Sequence, residues 1–161
     1  MLMRVINFVR LPLVLILIWA VMRFLMGTAF NQPYAPRGNA AFSVVGVTLI
    51  SCLIYGAMSG RVGGFGWLGA FLVGVVLGLF AQALIFTATL VSIAAGINSY
   101  FVHWDALNIP EGTTATMSEA LTARAGGLFF GTLFAGVFAL IGRAVFSYLA
   151  PRCDVAGERL P

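Results

Sequence analysis

The sequence predicts an all-α, polytopic membrane protein: a bundle of four transmembrane helices joined by short loops. Of its 161 residues, 61% are hydrophobic and only 9% are charged, and the mean hydropathy is +1.02. A soluble domain carries about 25% charged residues, so lipid must surround most of this chain. We expect a single transmembrane domain over residues 1–161, with spans at about residues 8–30, 40–59, 67–97 and 123–149.

The first predicted span is bordered and interrupted by arginines. The apolar run between Arg10 and Arg23 rises only about 18 Å as a helix, which is short of a roughly 30 Å hydrocarbon core. We therefore expect residues 24–30 to continue the helix while both arginines extend towards the headgroups. Pro12 suits the first turn of such a helix. A cleavable signal peptide is the alternative interpretation, since Arg4 and Arg10 precede a short apolar run.

Turn-forming and polar segments separate the remaining spans. Residues 31–39 predict a loop, and the very short link 60–66 makes the second and third spans an antiparallel hairpin. Residues 98–122 form the longest polar segment. Within it, Thr116 and Glu119 have the spacing of a capping box, which would begin the last helix outside the hydrocarbon.

The arginine distribution predicts the orientation of the bundle. In a four-span arrangement, one side carries six of the nine basic residues: Arg4, Arg10, Arg61, Arg143, Arg152 and Arg159. The positive-inside rule then places both termini in the cytoplasm. We therefore expect a multi-pass protein of the inner (plasma) membrane. The arginines lie at the edges of apolar runs rather than in a patch, which argues against a nucleic-acid partner.

Small residues recur at every fourth position in the last two spans. The two series are Gly66, Ala70, Gly74 and Gly78, and Gly127, Gly131, Ala135 and Ala139. Residues four apart share one helix face, so each series predicts a packing interface at which another helix backbone approaches closely. Whether these interfaces meet each other or a partner protein is open at this stage.

Two polar residues are predicted inside the spans. Gln82 is expected to hydrogen-bond to another helix, with a substrate or cofactor contact as the alternative. Arg143 is expected to reach lipid phosphate at the cytoplasmic edge. The alternatives for Arg143 are a buried partner such as Gln82, a neighbouring subunit or an anionic ligand.

The segment that contains His103, Trp104 and Asp105 predicts an interfacial anchor on the non-cytoplasmic side, because aromatic residues concentrate at that depth. A contact with a partner is the alternative. A single histidine among loop carboxylates is poor evidence for a metal site.

The sequence carries no catalytic, metal or nucleotide motif. Cys52 and Cys153 are isolated, without metal or redox spacing, and one histidine cannot supply a pair of axial haem ligands. We expect no cofactor and predict a non-catalytic accessory or structural subunit of a larger membrane complex, in contact with lipid and with other membrane proteins or further copies of itself.

Two other functions remain open from the sequence. One is a small transporter or channel acting as a homo-oligomer, with a path lined by Gln82, Thr87, Thr89 and Ser92. The other is a membrane enzyme using the loop of residues 103–119.

Overall fold

The computed structural model describes residues 1–30 and 43–149, and these ranges contain only helices as regular structure. The helices are α1 (Leu2–Phe8), α2 (Arg10–Thr28), α3 (Val44–Ser59), α4 (Trp67–Ala94), α5 (Trp104–Leu107) and α6 (Met117–Leu149). Three of them, α2, α4 and α6, are long and apolar enough to cross a membrane, and α3 is a shorter apolar helix. This arrangement is consistent with a helical membrane bundle.

Several predictions fall outside the described residues. They concern the loop at residues 31–39, the first residues of the second span, Cys153 and the two C-terminal arginines.

The N-terminal segment is divided at Val9, where α1 ends and α2 begins. Pro12 is the third residue of α2, and a proline ring clashes with the carbonyl four residues earlier, here that of Phe8. The chain bends at this point, and both Val5 and Val9 are fully buried. Beyond Arg23 the helix continues to Thr28, so the extension predicted over residues 24–30 is present except for its last two residues.

The α3–α4 pair is joined by a short turn. The Ser43 hydroxyl caps α3 by accepting from the Gly46 N–H at 3.3 Å. After α3 ends at Ser59, the chain turns through Gly64, whose φ of +62° suits glycine. The Phe65 N–H donates to the Ser59 carbonyl at 2.9 Å, which closes the turn before α4 begins.

The core of the fold is α4, which packs most extensively against α6. Ala70, Val73, Leu77 and Ala81 of α4 are buried. The capping box predicted for α6 is confirmed: the Thr116 N–H donates to the Glu119 carboxylate at 2.9 Å and the Glu119 N–H donates to the Thr116 hydroxyl at 3.3 Å. With 33 residues, α6 is about 50 Å long, longer than the hydrocarbon core is thick.

Candidate functional site

Small residues lie where α4 and α6 approach most closely. A Cβ added at Gly74 would contact the carbonyl oxygen of Ala135 and lie 2.7 Å from its carbonyl carbon. At Gly78 it would contact the Ala135 side chain and lie 3.1 Å from Cα of Thr132. These approaches are possible because glycine has no side chain. Over this length the two predicted faces are turned towards each other within one chain.

Two glycines that the spacing pattern did not select lie at the contact between α3 and α6. A Cβ at Gly56 would meet the backbone of Ala139, and one at Gly142 would meet the backbone of Leu53. Ala139, the last member of its series, thus packs on α3. Gly66 differs from the rest of its series, because it is the N-cap of α4 and a Cβ there would meet nothing within 4 Å.

The amide of Gln82 faces α6 at Gly127 and Gly131. Its Oε1 lies 3.5 Å from the position of a Cβ at Gly127, and its Nε2 lies against Gly131. The expected hydrogen bond to another helix is not formed with any described residue, because these glycines offer no side-chain partner. Gln82 does not contact Arg143 either, because Arg143 lies about three turns beyond Gly131 on α6.

Arg143 holds the turn between α3 and α4. Its Nη1 donates to the Ser59 hydroxyl at 3.4 Å, to the Gly66 carbonyl at 3.1 Å and to the Phe65 carbonyl. The guanidinium also lies 5.0 Å from the centroid of the Trp67 ring. A residue expected to reach lipid phosphate therefore joins α6 to a distant turn of its own chain.

Arg124 plays the equivalent part at the other end of α6. Its Nε donates to the Thr89 hydroxyl at 2.9 Å, and its Nη2 and Nη1 donate to the carbonyls of Phe101 at 2.6 Å and Ala106 at 3.3 Å. One side chain thus links α6, α4 and the loop that contains α5. This role of Arg124 could not be predicted, since backbone acceptors leave no signal in a sequence.

The polar residues of α4 do not form a single stripe. Thr89 and Ser92 are buried, and the hydroxyls of Ser92 and Ser99 share a hydrogen bond of 2.6 Å. Thr87 is exposed, because residues two apart on a helix point about 200° from each other. The channel path predicted through Gln82, Thr87, Thr89 and Ser92 is therefore not continuous in this chain.

His103 is the N-cap of the short helix α5. The Asp105 N–H donates to Nδ1 of His103 at 3.3 Å, and the imidazole lies 5.1 Å from the Trp104 ring. Desolvation lowers the pKa of His103, an effect that the charge of Asp105 opposes. Tyr100 and Phe101, which precede His103, are buried in the fold. Within the described ranges, no three His, Cys, Asp or Glu side chains are placed to hold a metal.

An open cavity of about 580 Å³ lies between the long helices and the α5 loop. Its polar lining includes Arg23 from α2, Gln82 from α4, Arg124 from α6 and Tyr100 from the loop. The Arg23 guanidinium stands 5.3 Å from the centroid of the Tyr100 ring. No carboxylate occurs among the described residues that line this cavity. It is a candidate ligand site.

The chain matches no protein-family model, no curated protein and no solved structure. Its function is therefore inferred from its own residues and their arrangement.

Proposed function

We propose that this protein is a non-catalytic integral membrane protein, an accessory or structural subunit of a larger plasma-membrane complex. The observation that supports this is how its buried and half-buried polar side chains are used. Arg124, Arg143, Thr89 and Ser92 each hydrogen-bond within the chain and join its own helices and turns. Such side chains stabilise a rigid membrane body, which suits a subunit whose role is to support its neighbours.

The proposed topology has four spans, with α3 as the second. At 16 residues, α3 rises about 24 Å, and a span this short is accommodated by local thinning of the bilayer or by flanking residues. Four spans put both termini on one side, and the arginine count favours the cytoplasm.

Thiol labelling tests this orientation in a chain from which Cys52 and Cys153 have been replaced. Val62 in the α3–α4 turn and Thr114 before α6 are both exposed. We expect Thr114→Cys to react with an impermeant maleimide in intact cells and Val62→Cys to react only after lysis. Labelling with the opposite sidedness would overturn the orientation.

The partner of this subunit is a second membrane protein or a further copy of the chain. Purification from native membranes in lipid particles, followed by chemical crosslinking, tests the proposal. We expect a membrane partner at fixed stoichiometry that an unrelated four-span protein with the same tag does not recover. A chain that always migrates alone would count against the accessory role.

The open cavity favours a second candidate, a small transporter or channel formed by several copies of the chain. The side chains of Arg23 and Arg124 would select anionic solutes. Anion flux into reconstituted liposomes should then fall in the Arg23→Gln variant. Absence of flux across inorganic and small organic anions would remove this candidate.

A further inference from the structure

We propose that the 580 Å³ cavity binds the phosphate group of an anionic ligand, either a membrane phospholipid or free inorganic phosphate. The site does not depend on the subunit role proposed above. Its volume lies within the range of small-molecule sites, about 300–1,000 Å³.

The charges on the cavity wall favour a phosphate. Arg23 and Arg124 reach it from different helices, and no described lining residue contributes a compensating carboxylate. Guanidinium groups bind phosphate oxygens in a planar, bidentate geometry that lysine cannot reproduce. The cavity therefore concentrates positive charge of the kind that recognises phosphate.

Both arginines are held in place before any ligand arrives. Arg124 is fixed by its bonds to Thr89 and to the carbonyls of Phe101 and Ala106. Arg23 rests on the face of the Tyr100 ring. Because their side chains are already ordered, binding costs little further conformational entropy.

Gln82 supplies a polar group further into the span. It lies seven residues before Thr89 on α4, about 10 Å along the helix axis. Its amide lines the cavity and has no hydrogen-bond partner among the described residues. Since an unpaired amide in a membrane span is unfavourable, a ligand with an acceptor at this depth would be stabilised. In a glycerophospholipid the ester carbonyls lie on the hydrocarbon side of the phosphate, the side on which the Gln82 amide lies.

The apolar part of the wall is also compatible with a lipid. Val45 and Phe130 line the cavity and are also exposed. An acyl chain leaving the cavity between such side chains would remain in an apolar environment.

The test is native mass spectrometry of the full chain in a neutral detergent, with three probes. These are dioleoyl phosphatidylglycerol, dioleoylglycerol (the same acyl chains without phosphate) and inorganic phosphate. We expect saturable binding of phosphatidylglycerol and none of dioleoylglycerol. If inorganic phosphate displaces the lipid at millimolar concentration, free phosphate is also a ligand; if it does not, the site is specific for the phospholipid.

Matched arginine variants locate the site. Arg23→Gln removes a cavity charge and should weaken phosphatidylglycerol binding about tenfold, since each charge-assisted bond contributes on that scale. Arg61→Gln is the control, because Arg61 also lies over an aromatic ring, 5.1 Å from the Phe146 centroid, but does not line the cavity. Its affinity should stay within about twofold of the wild type.

Gln82→Leu keeps the test decisive if Arg23→Gln fails to fold, and it should weaken binding several-fold. Three results would overturn the proposal: absence of binding by all probes, equal binding of dioleoylglycerol and phosphatidylglycerol, or equal loss of affinity in Arg23→Gln and Arg61→Gln.

Discussion

Replacing Gly74 with alanine tests how tightly α4 and α6 pack. The new Cβ would contact the Ala135 carbonyl oxygen and lie 2.7 Å from both the Ala135 carbonyl carbon and Cα of Gly136, whereas ordinary contacts begin at 3.4 Å. All three atoms belong to a helix backbone, so the two helices must separate locally by roughly 1 Å, and such a gap forfeits a quarter to a half of the dispersion energy of each contact. Overpacking of this kind costs about 3 kcal/mol, of which the better helix propensity of alanine offsets about 1 kcal/mol. The expected loss is therefore about 2 kcal/mol in the free energy of unfolding.

Gly126→Ala is the matched control on α6. A Cβ at Gly126 would meet nothing within 4 Å, so only the propensity gain of up to about 1 kcal/mol remains. Equilibrium unfolding in bicelles should then separate the two variants by about 3 kcal/mol. If both variants unfold with the same free energy, the close contact between α4 and α6 is refuted.

Three further predictions concern hydrogen bonds. Arg143→Leu should lower the free energy of unfolding by about 3 kcal/mol, because hydrogen bonds from a charged donor to the α3–α4 turn are lost. Thermal unfolding should show equal destabilisation in detergent and in lipid. A loss of stability confined to lipid would instead indicate a headgroup contact. Ser92→Ala and Ser99→Ala should each cost about 1–2 kcal/mol, and the double variant should cost little more than one of them, since they share one bond; additive losses in a double-mutant cycle would contradict this. Backbone and side-chain hydrogen bonds from Thr116 lower the pKa of Glu119, so its contribution is present above the unfolded pKa and is lost as pH falls through the lower folded value. Amide-exchange protection at the start of α6 should accordingly decrease between about pH 5 and pH 3 in the wild type but not in Glu119→Gln; identical pH profiles would exclude the capping interaction as the cause.

The features that the sequence predicted correctly depend on local chemistry. The capping box needs only Thr116 and Glu119 at the right spacing, and the structure forms it. Apolar length alone identified the three long helices. The division at Val9 is also local: Pro12 lies in the first turn of α2, as expected, where its missing N–H costs no helical hydrogen bond while its ring excludes the carbonyl of Phe8.

The partners of the two arginines could not be predicted from the sequence. Arg124 and Arg143 donate mainly to backbone carbonyls of segments far away in the chain. Every residue has a carbonyl, so an acceptor of this kind carries no sequence signal. Gly142 was missed for a related reason, since it marks a helix crossing without belonging to a four-residue series, whereas Gly56 was missed although Cys52 and Gly60 flank it at that spacing.

The positions of Arg124 and Arg143 suggest what fixes the depth of the bundle in the membrane. They lie 19 residues apart on α6, about 28 Å by helix geometry, close to the roughly 30 Å thickness of the hydrocarbon core. The Gly66 carbonyl also accepts from the Ala70 N–H, but turn carbonyls such as that of Phe65 have no such intrahelical donor, and lipid tails offer none. An arginine can donate to such carbonyls while its charge stays near the headgroups. In a bilayer of that thickness, the two side chains would satisfy the turns at both ends of the bundle and set its depth. The same depth would place the cavity beside Arg124 near the level of lipid phosphates, where the proposed ligand would be most concentrated.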